Sequence, residues 1–437
     1  MGIASRRGAT EDRLQSLLNP VVHAAEVHGH PGTGLALPLR WDLARLEFEA
    51  GRPLAVHVDV KADISVSCDR ARPGSAGRAA RETPGVTLRI GFAGTGIIAW
   101  AHSLALQAMI EVGAIDASIV ACHDIDPDRC RGFADRCEAG VVPDVDALVR
   151  QVDVLYICTP TSAHRDAVDA ALAGGVPIFC EKPLAISLAE AEALCGAVAA
   201  AKLPAQVGLV LRSIPVFEQL AAIVQSGELG RPMAVLYRDD QYFPNQGNYG
   251  SSWRADVSVA GGGALIEHSI HDVDILRHCF GEVASVSGTT ANFAGHEGIE
   301  DVATGVFRHP GGVTSSLVSV WHQVLSRGST RRVEVFLEHG MVWLDNDIVG
   351  PLTIQTSDGV EERATPLAPW VLELPLADSR TGLVVRSYAA ADRAFVEAIG
   401  SGAAPAPTFA DALTAHRMVD ALYRSAAEGG SPVQGPF

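Results

Sequence analysis

Hydrophobic and polar positions follow two different patterns along this chain, and the change between them lies near Gly230. From Thr87 to Leu211, short apolar runs without polar alternation are separated by segments with helical spacing. Such runs predict parallel strands that are buried on both faces and connected by helices. The predicted strands are residues 88–93, 117–122, 154–158, 176–179 and 205–211. The main predicted helices run from the turn after the first strand to Val112, and over residues 162–173 and 188–201.

After Gly230, strand-like segments follow one another with turns between them, and a single helix at residues 265–279 interrupts them. These predicted strands are residues 233–240, 284–291, 304–307, 313–322, 332–338 and 341–345. Two further helices are predicted near residues 388–399 and 409–427. This α+β pattern predicts a mostly antiparallel sheet, which can leave one face open to a ligand.

Residues 1–85 show neither pattern. They carry eleven cationic and ten anionic side chains, and they end in Ala-Arg-Pro-Gly-Ser-Ala-Gly-Arg, a composition typical of a linker. We therefore predict that residues 1–85 are a poorly ordered extension.

Charge and composition limit the possible partners. The formal net charge is −17, from 34 Lys plus Arg against 51 Asp plus Glu, which argues against a nucleic-acid partner. No apolar run approaches the roughly 18 residues of a membrane-spanning helix, so no membrane partner is expected. The eight cysteines are scattered without a CxxC pair, which favours a reducing cytoplasm over a disulfide framework.

A glycine-rich turn follows the first predicted strand. Gly94 and Gly96 allow a tight turn and close approach of the backbone to a pyrophosphate, and the helix that follows offers its free amides to the phosphates. The predicted cofactor-binding residues here are Gly94, Thr95, Gly96, Ile97 and Ile98.

Asp124 ends the second predicted strand, where a carboxylate can accept the ribose hydroxyls of adenosine and would repel a 2′-phosphate. This favours NAD over NADP, with NADP still possible. The alternative is that Asp124 or Asp126 caps the next helix. Asp126, directly ahead of Pro127, suits that role better.

Two further loops should lie at the same edge of the parallel sheet. Thr159, Pro160 and His164 follow the third clear strand, and Glu181 and Lys182 follow the next. All five are predicted to contact the cofactor, although His164 could equally pack its helix. The chain holds only three lysines beside thirty-one arginines, and Lys182 is the one that falls where nicotinamide should lie. An ammonium group there could stabilise developing alkoxide charge, and the alternative is a surface lysine beside a structural Glu181.

Residues 261–274 form a second dense cluster, in which a glycine run leads into a helix. Glu267 and His271 are four residues apart, so they should share a helix face, with Glu267 orienting the imidazole. A histidine can accept a hydroxyl proton near neutral pH. His268 and Asp272 form a second pair with the same spacing. We predict no metal site, because the cluster lacks an HExxH arrangement and a nearby thiol.

In their order, these motifs resemble the Gfo/Idh/MocA family of NAD(P)-dependent oxidoreductases, the relatives of glucose-fructose oxidoreductase and inositol dehydrogenase. The resemblance covers the chain from about Thr87 to its end. It implies an α/β fold with an N-terminal Rossmann domain, here residues 86–211. A C-terminal α/β domain with a large, mostly antiparallel open sheet would occupy residues 212–437. The family's catalytic lysine and histidine would correspond to Lys182 and His271.

The sequence departs from the usual family pattern in two places. The family usually has Asp at the position of Glu267, and an apolar residue and Gly at the positions of His268 and Ser269. The third candidate catalytic residue is Glu267, and His268 is a possible participant. Substrate contacts are expected from the sheet domain and from the loop before the glycine run. The candidates there are Tyr242, Trp253, Arg254 and His322.

The resemblance implies hydride transfer between NAD(P) and a secondary hydroxyl of a sugar, inositol or related polyol. Two alternatives stay open at this stage. One is a glycoside hydrolase that uses bound NAD without net redox, and the other is a non-catalytic sugar or nucleotide sensor. The resemblance also implies a homo-oligomer, a dimer or a tetramer.

Overall fold

The structure is a computed structural model that describes residues 87–437 apart from 248, 349 and 377–379. The extension predicted for residues 1–85 lies outside these described residues. The strands are β1 (Leu88–Ala93), β2 (Ala117–His123), β3 (Gly140–Val141), β4 (Val154–Ile157), β5 (Ile178–Cys180), β6 (Ala205–Val207), β7 (Pro232–Tyr242), β8 (Ser285–Ala291), β9 (Val302–Arg308), β10 (Thr314–His322), β11 (Thr330–Leu337), β12 (Gly340–Leu344), β13 (Leu352–Thr356), β14 (Gly359–Arg363) and β15 (Val433–Gln434). The helices are α1 (Ile97–Glu111), α2 (Pro127–Cys137), α3 (Val145–Val149), α4 (His164–Gly174), α5 (Leu188–Ala201), α6 (Pro215–Ser226), α7 (Val257–Ala260), α8 (Ile270–Phe280), α9 (Pro369–Leu372), α10 (Arg380–Ser401) and α11 (Phe409–Ala427).

The first sheet is parallel throughout its described strands, in the order β3-β2-β1-β4-β5-β6. All four residues of β4 are buried, as expected for a strand covered on both faces. The strand order reverses between β1 and β4, which places a ligand crevice at the carboxyl ends of these two strands. Gly94 lies in that crevice with φ +84, and a Cβ there would stand 2.6 Å from the carbonyl carbon of Cys158. A side chain is therefore excluded at this point.

The second sheet has the order β14-β13-β12-β11-β7-β10-β9-β8-β15. Its described pairs are antiparallel, apart from β10, which runs parallel to β7. Alternate side chains of its central strands enter a core shared with α6, α8 and α11. The opposite face, which we call the outer face, carries partly exposed apolar side chains, among them Leu236, Val318 and Phe336. The predicted α/β architecture with a mostly antiparallel second sheet is confirmed.

The helix predicted at residues 265–279 begins differently in the structure. Residues Ala264–His268 form a π turn, and the α-helix starts only at Ile270. A π turn adds a residue to the helical repeat, so side chains four apart across it no longer align as in a regular α-helix.

Strands β13 and β14 were not predicted. β14 is short, charged and almost wholly exposed, so it lacks the apolar alternation on which a prediction depends.

The last helices also complete the core of the first sheet. Val385, Ala389 and Phe395 of α10 lie in one buried cluster with Phe92 and Phe179. Helix α11 contributes to the cores of both sheets. Leu413 lies in the core of the first sheet beside α5, and Met418 and Leu422 lie in the core of the second sheet. Within the described residues, no helix is both long enough and apolar enough to cross a membrane.

Candidate active site

The glycine-rich turn presents the start of α1 to the crevice. The N-cap residue is Gly96, and no side chain in the described part of the chain caps this helix. The first amides of α1 therefore point into the crevice at the positive end of the helix dipole, an arrangement suited to phosphate oxygens. The five predicted residues from Gly94 to Ile98 all lie on this turn and the first residues of the helix.

Asp124 stands beside this turn, and its carboxylate is already engaged. It accepts hydrogen bonds from the amide and hydroxyl of Thr95 at 2.7 and 2.9 Å, and from Arg129 at 2.7 Å. Burial opposes ionisation of Asp124, but hydrogen bonds from Arg129, Asp126 and Thr95 outweigh it and lower its pKa to about 2. Asp126 is the N-cap of α2, as its position before Pro127 suggested. The pairing of Arg129 with Asp124 cannot be read from the sequence, and it places a cation beside the carboxylate that was expected to meet the ribose alone.

His164 connects two loops from beneath them. It is 1 % exposed, with Nε2 3.1 Å from the Thr159 carbonyl and Nδ1 3.3 Å from the Leu184 carbonyl. Burial lowers the pKa of His164, so the ring is neutral and donates to one of these carbonyls at a time. This geometry favours the packing alternative for His164 over direct contact with a cofactor. Thr159 is different, because its buried Oγ1 has no hydrogen-bond partner among the described residues.

Lys182 lies in the loop after β5 of the first sheet, and its side chain reaches the π turn that precedes α8. Its Nζ donates a hydrogen bond of 2.6 Å to the main-chain carbonyl of Glu267 in the π turn. Burial lowers the pKa of Lys182, and Arg254 and Arg331 act in the same direction, while Glu267 and Glu181 oppose them. A lysine with a lowered pKa is well suited to donate and recover a proton.

Glu267 does not have the partner that its spacing predicted. Its buried carboxylate accepts a hydrogen bond from the Thr161 hydroxyl at 2.7 Å and one from Arg254 Nε at 3.1 Å. The π turn removes the alignment of Glu267 with His271, which a regular helix would have given. The expectation that Glu267 orients the His271 imidazole is therefore wrong in this structure. Glu267 instead joins the first sheet's loop to the segment that precedes the glycine run.

His271 lies at the start of α8 and is 8 % exposed. Its Nδ1 is buried and has no hydrogen-bond partner within the described parts of the chain. Burial, Lys182, Arg331 and His268 together hold the pKa of His271 well below its usual value. The imidazole is therefore neutral at pH 7 and free to accept a proton.

His268, the last residue of the π turn, belongs to an ionic cluster with Asp239, Arg331 and Asp272. Its Nε2 lies 2.9 Å from Asp239, and Arg331 binds Asp272 at 2.7 Å and Asp347 at 2.8 Å. Burial and the neighbouring Asp239 raise the pKa of Asp272 to about 6. Arg331 and Asp239 were missed by the sequence analysis, because a charged residue in a strand gives no sign of which distant partner it meets.

The four candidate substrate residues lie in three different places. Arg254 binds Glu267 and stacks over the Trp253 ring at 4.3 Å, so this pair borders the Lys182 region. Tyr242 packs on Tyr249 at 5.5 Å in the loop before the glycine run. His322 alternates with the inward-facing Trp321 and lies 3.5 Å from Asp240 on the outer face. The structure thus places His322 on the opposite side of the sheet from α8, contrary to its expected contact with substrate.

Comparison with known proteins agrees with this geometry. The chain is 28 % identical over 352 residues to inositol 2-dehydrogenase of Rhizobium meliloti, covering 78 % of this chain and 98 % of that protein. It is 28 % identical to D-apiose dehydrogenase of Paraburkholderia graminis, over 72 % of this chain and 82 % of that one. A crystal structure of an Agrobacterium radiobacter oxidoreductase with NAD+, L-tartaric acid and magnesium superposes with a TM-score of 0.68 at 25 % identity. That match covers 80 % of this chain and 98 % of the crystallised one.

Two family descriptions match successive parts of the chain. Residues 88–209 match the oxidoreductase family with an NAD-binding Rossmann fold, and residues 217–343 match the GFO/IDH/MocA C-terminal domain. The matched segments follow each other in the order in which the two sheets occur. The chain belongs to the Gfo/Idh/MocA family of NAD-binding oxidoreductases.

Proposed function

We propose that this protein transfers a hydride between NAD and a secondary hydroxyl group of a sugar, inositol or related polyol. The observation that carries the proposal is the approach of Lys182, from the first sheet, to the π turn that precedes His271. The Lys182 ammonium also lowers the pKa of His271, which supports a shared site for the two groups. A binding protein without chemistry would need neither the buried ammonium nor the neutral imidazole.

The substrate class rests on the relatives. Inositol 2-dehydrogenase and D-apiose dehydrogenase both act, by their names, on hydroxyl compounds with several neighbouring hydroxyl groups. In the present chain, Arg254 and Trp253 lie at the border of the site, where they could bind such hydroxyls. Tyr242, the last residue of β7, remains a candidate contact beside Tyr249 of the loop before the glycine run.

The residues at the crevice fit a dinucleotide. The uncapped start of α1 suits the pyrophosphate, and the orphaned Thr159 Oγ1 can bond to a group placed beyond β4. Asp124 would bind the adenosine ribose, provided that its bonds to Arg129 rearrange. When bound, NAD supplies the hydride acceptor.

The chain's own groups would handle the proton and the developing charge. During oxidation the substrate carbon loses a hydride and its hydroxyl loses a proton, which leaves a carbonyl. His271, held neutral, accepts the hydroxyl proton at a ring nitrogen. The Lys182 ammonium donates a hydrogen bond to the same oxygen and stabilises its negative charge as the proton leaves. Glu267 keeps its carbonyl on Lys182 and its carboxylate on Arg254, so it positions both cations.

The proposal includes a homo-oligomer, a dimer or tetramer, in a reducing cytoplasm. The outer face of the second sheet exposes Leu236 by 49 % and Val318 by 39 %, and such an apolar surface suits contact with a second copy. The described cysteines are free thiols, which suits a reducing compartment.

The test is a substrate screen with purified protein and NAD. Inositols, aldoses and anhydrosugars are offered in turn, and the absorbance of reduced nicotinamide is followed. The expected result is NADH formation with at least one polyol, and its loss in a Lys182→Met, His271→Ala double variant. Glycoside cleavage without net NADH, or tight sugar binding without turnover, would contradict the proposal.

A further inference from the structure

Behind the Lys182 loop, the buried side chains of Asp392, His102 and Glu181 form a hydrogen-bonded row that the proposed reaction does not use. We call these three residues the His102 cluster. His102 of α1 is fully buried, with its ring between the edges of Phe179 at 5.0 Å and Tyr388 at 5.1 Å. Its Nδ1 is 2.7 Å from Asp392 of α10, and its Nε2 is 3.0 Å from Glu181.

The geometry of the His102 cluster requires a proton between each ring nitrogen and the carboxylate beside it. Carboxylates only accept hydrogen bonds, so an imidazole with a carboxylate at each nitrogen must carry both protons, unless a carboxyl group holds one. Burial opposes the charge on His102, but Asp392 and Glu181 outweigh it and raise its pKa to about 10. The other titratable groups near the ring are Tyr156 and Tyr388, with Cys158 beside the two carboxylates.

Glu181, at one end of the His102 cluster, contacts Lys182. The second oxygen of Glu181 accepts the main-chain N–H of Lys182 at 3.3 Å. On its other side the Glu181 carboxylate fills the space next to Gly208, where any Cβ would clash with it. Glu181 is thus held by His102, by Gly208 and by the peptide that carries the candidate catalytic lysine.

We propose that His102 and Asp392 are positioning residues for Lys182, because they hold the Glu181 carboxylate in place under the Lys182 loop. The proposal rests on the hydride-transfer function assigned to this site. A buried ion pair is a weak source of stability, since desolvation of the charges offsets much of their attraction. Three residues far apart in sequence nevertheless meet directly behind Lys182, which favours a role in its position and charge.

The His102 cluster also affects the pKa of Lys182. The charged and titratable groups of the described residues that act on its ammonium are Glu267, Glu181, Arg254, Arg331, His268 and His271. Loss of the Glu181 carboxylate removes one of the two anions that oppose the effect of burial. The pKa of Lys182 should then fall further.

The matched variants are His102→Gln and His102→Asn. A glutamine amide reaches the place of Nε2 and can still donate to Glu181, whereas an asparagine amide ends near Nδ1 and leaves Glu181 without this donor. Glu181→Gln removes the charge itself, and Gly208→Ala displaces the carboxylate without changing any charge. His339→Asn, at an exposed histidine, is the control.

The readout needs no substrate. The chain has three lysines, so lysine labelled with ¹³C at Cε gives three resonances to titrate, and Lys182→Arg identifies the one at the site. We expect the titration midpoint of Lys182 to fall by roughly one pH unit in Glu181→Gln, His102→Asn and Gly208→Ala. Both His102 variants lose the charge of the imidazolium, so the midpoint in His102→Gln, which keeps a donor to Glu181, should lie well above that in His102→Asn. The midpoint in His339→Asn should match the wild-type value. An unchanged midpoint in folded Glu181→Gln and Gly208→Ala would overturn the proposal.

Turnover separates this proposal from the assigned function. With an active substrate, His102→Asn should lower kcat at least about tenfold while KM and NAD affinity stay close to wild type, and His102→Gln should restore most of it. Equal losses in both His102 variants, in step with their melting temperatures, would mean a purely structural role. If the wild-type protein oxidises no polyol, the assigned function fails, but the lysine titration still decides the role of the His102 cluster.

Discussion

Lys182 Nζ donates a hydrogen bond to the main-chain carbonyl of Glu267 at 2.6 Å, and this contact joins the two sheets at the candidate active site. It places an ammonium group from a loop of the first sheet one turn away from His271 in α8, which packs on the second sheet. The site therefore depends on residues from both sheets' surroundings, and each of its groups can be tested separately.

Lys182→Arg should lower the rate of hydride transfer by roughly 10²-fold or more, although the charge is kept. A planar guanidinium cannot occupy the slot of a compact ammonium between the Glu267 carbonyl and the substrate. Single-turnover kinetics with NAD measures the effect. Lys202→Arg, at the exposed end of α5, is the matched control and should leave the rate unchanged. Near-normal transfer in Lys182→Arg would remove Lys182 from the mechanism.

His271→Ala should lower turnover by roughly 10²–10⁴-fold, the range expected for loss of a general base. NAD affinity should stay nearly intact. The parallel variant His322→Ala changes a histidine on the outer face and should have little effect. Fast hydride transfer in His271→Ala would shift the role to His268, three residues earlier.

The pH profile of kcat should be bell-shaped, with both limbs displaced. The base must be neutral, and the pKa of His271 is lowered, so activity should fall only as the pH drops well below the ordinary value of histidine. The Lys182 ammonium must be protonated and its pKa is also lowered, so activity should fall at a pH below the ordinary value of lysine. An acid limb at or above the ordinary histidine value would contradict the burial of His271.

The protein should prefer NAD over NADP, because Asp124 places a carboxylate near the site of a 2′-phosphate. Arg129 offsets part of this repulsion. Arg129→Ala should therefore increase the preference and Asp124→Ala should reduce it, as measured by fluorescence titration of both cofactors. Arg131→Ala, which removes only a surface pair with Asp128, is the control. Tighter binding of NADP by the wild-type protein would contradict the assignment of Asp124.

A chain that begins at Pro84 should keep its fold, its cofactor affinity and its oligomeric state. The reason lies in the sequence, since the charge balance and hydrophobic pattern change before β1 begins at Leu88. Soluble expression, circular dichroism and light scattering measure the outcome. Insolubility of the shortened chain beside a soluble full-length protein would show that residues 1–83 are structural.

Local patterns predicted the elements well where apolar spacing is strong. Residues 88–93, 188–201 and 409–427 were predicted with the bounds that β1, α5 and α11 have. The position of Lys182 followed from the rule that carboxyl ends of parallel strands share one edge. The pairing of His102 with Asp392 did not, because it joins positions 290 residues apart, and His102 lies on a mostly apolar helix where a packing role is expected. The π turn also escaped, since its residues do not differ from those of an ordinary helix start.

The late position of α10 along the chain has a consequence for synthesis on the ribosome. Phe395 packs at a steep angle against the stacked rings of Tyr156 and Phe179, so the core of the first sheet lacks part of its interior until nearly four hundred residues have been translated. The nucleotide-binding unit, although it comes first in the sequence, therefore cannot finish folding as an independent N-terminal domain during translation. Loss of the last sixty residues through a premature stop codon would damage the cofactor site as severely as a lesion within its own strands.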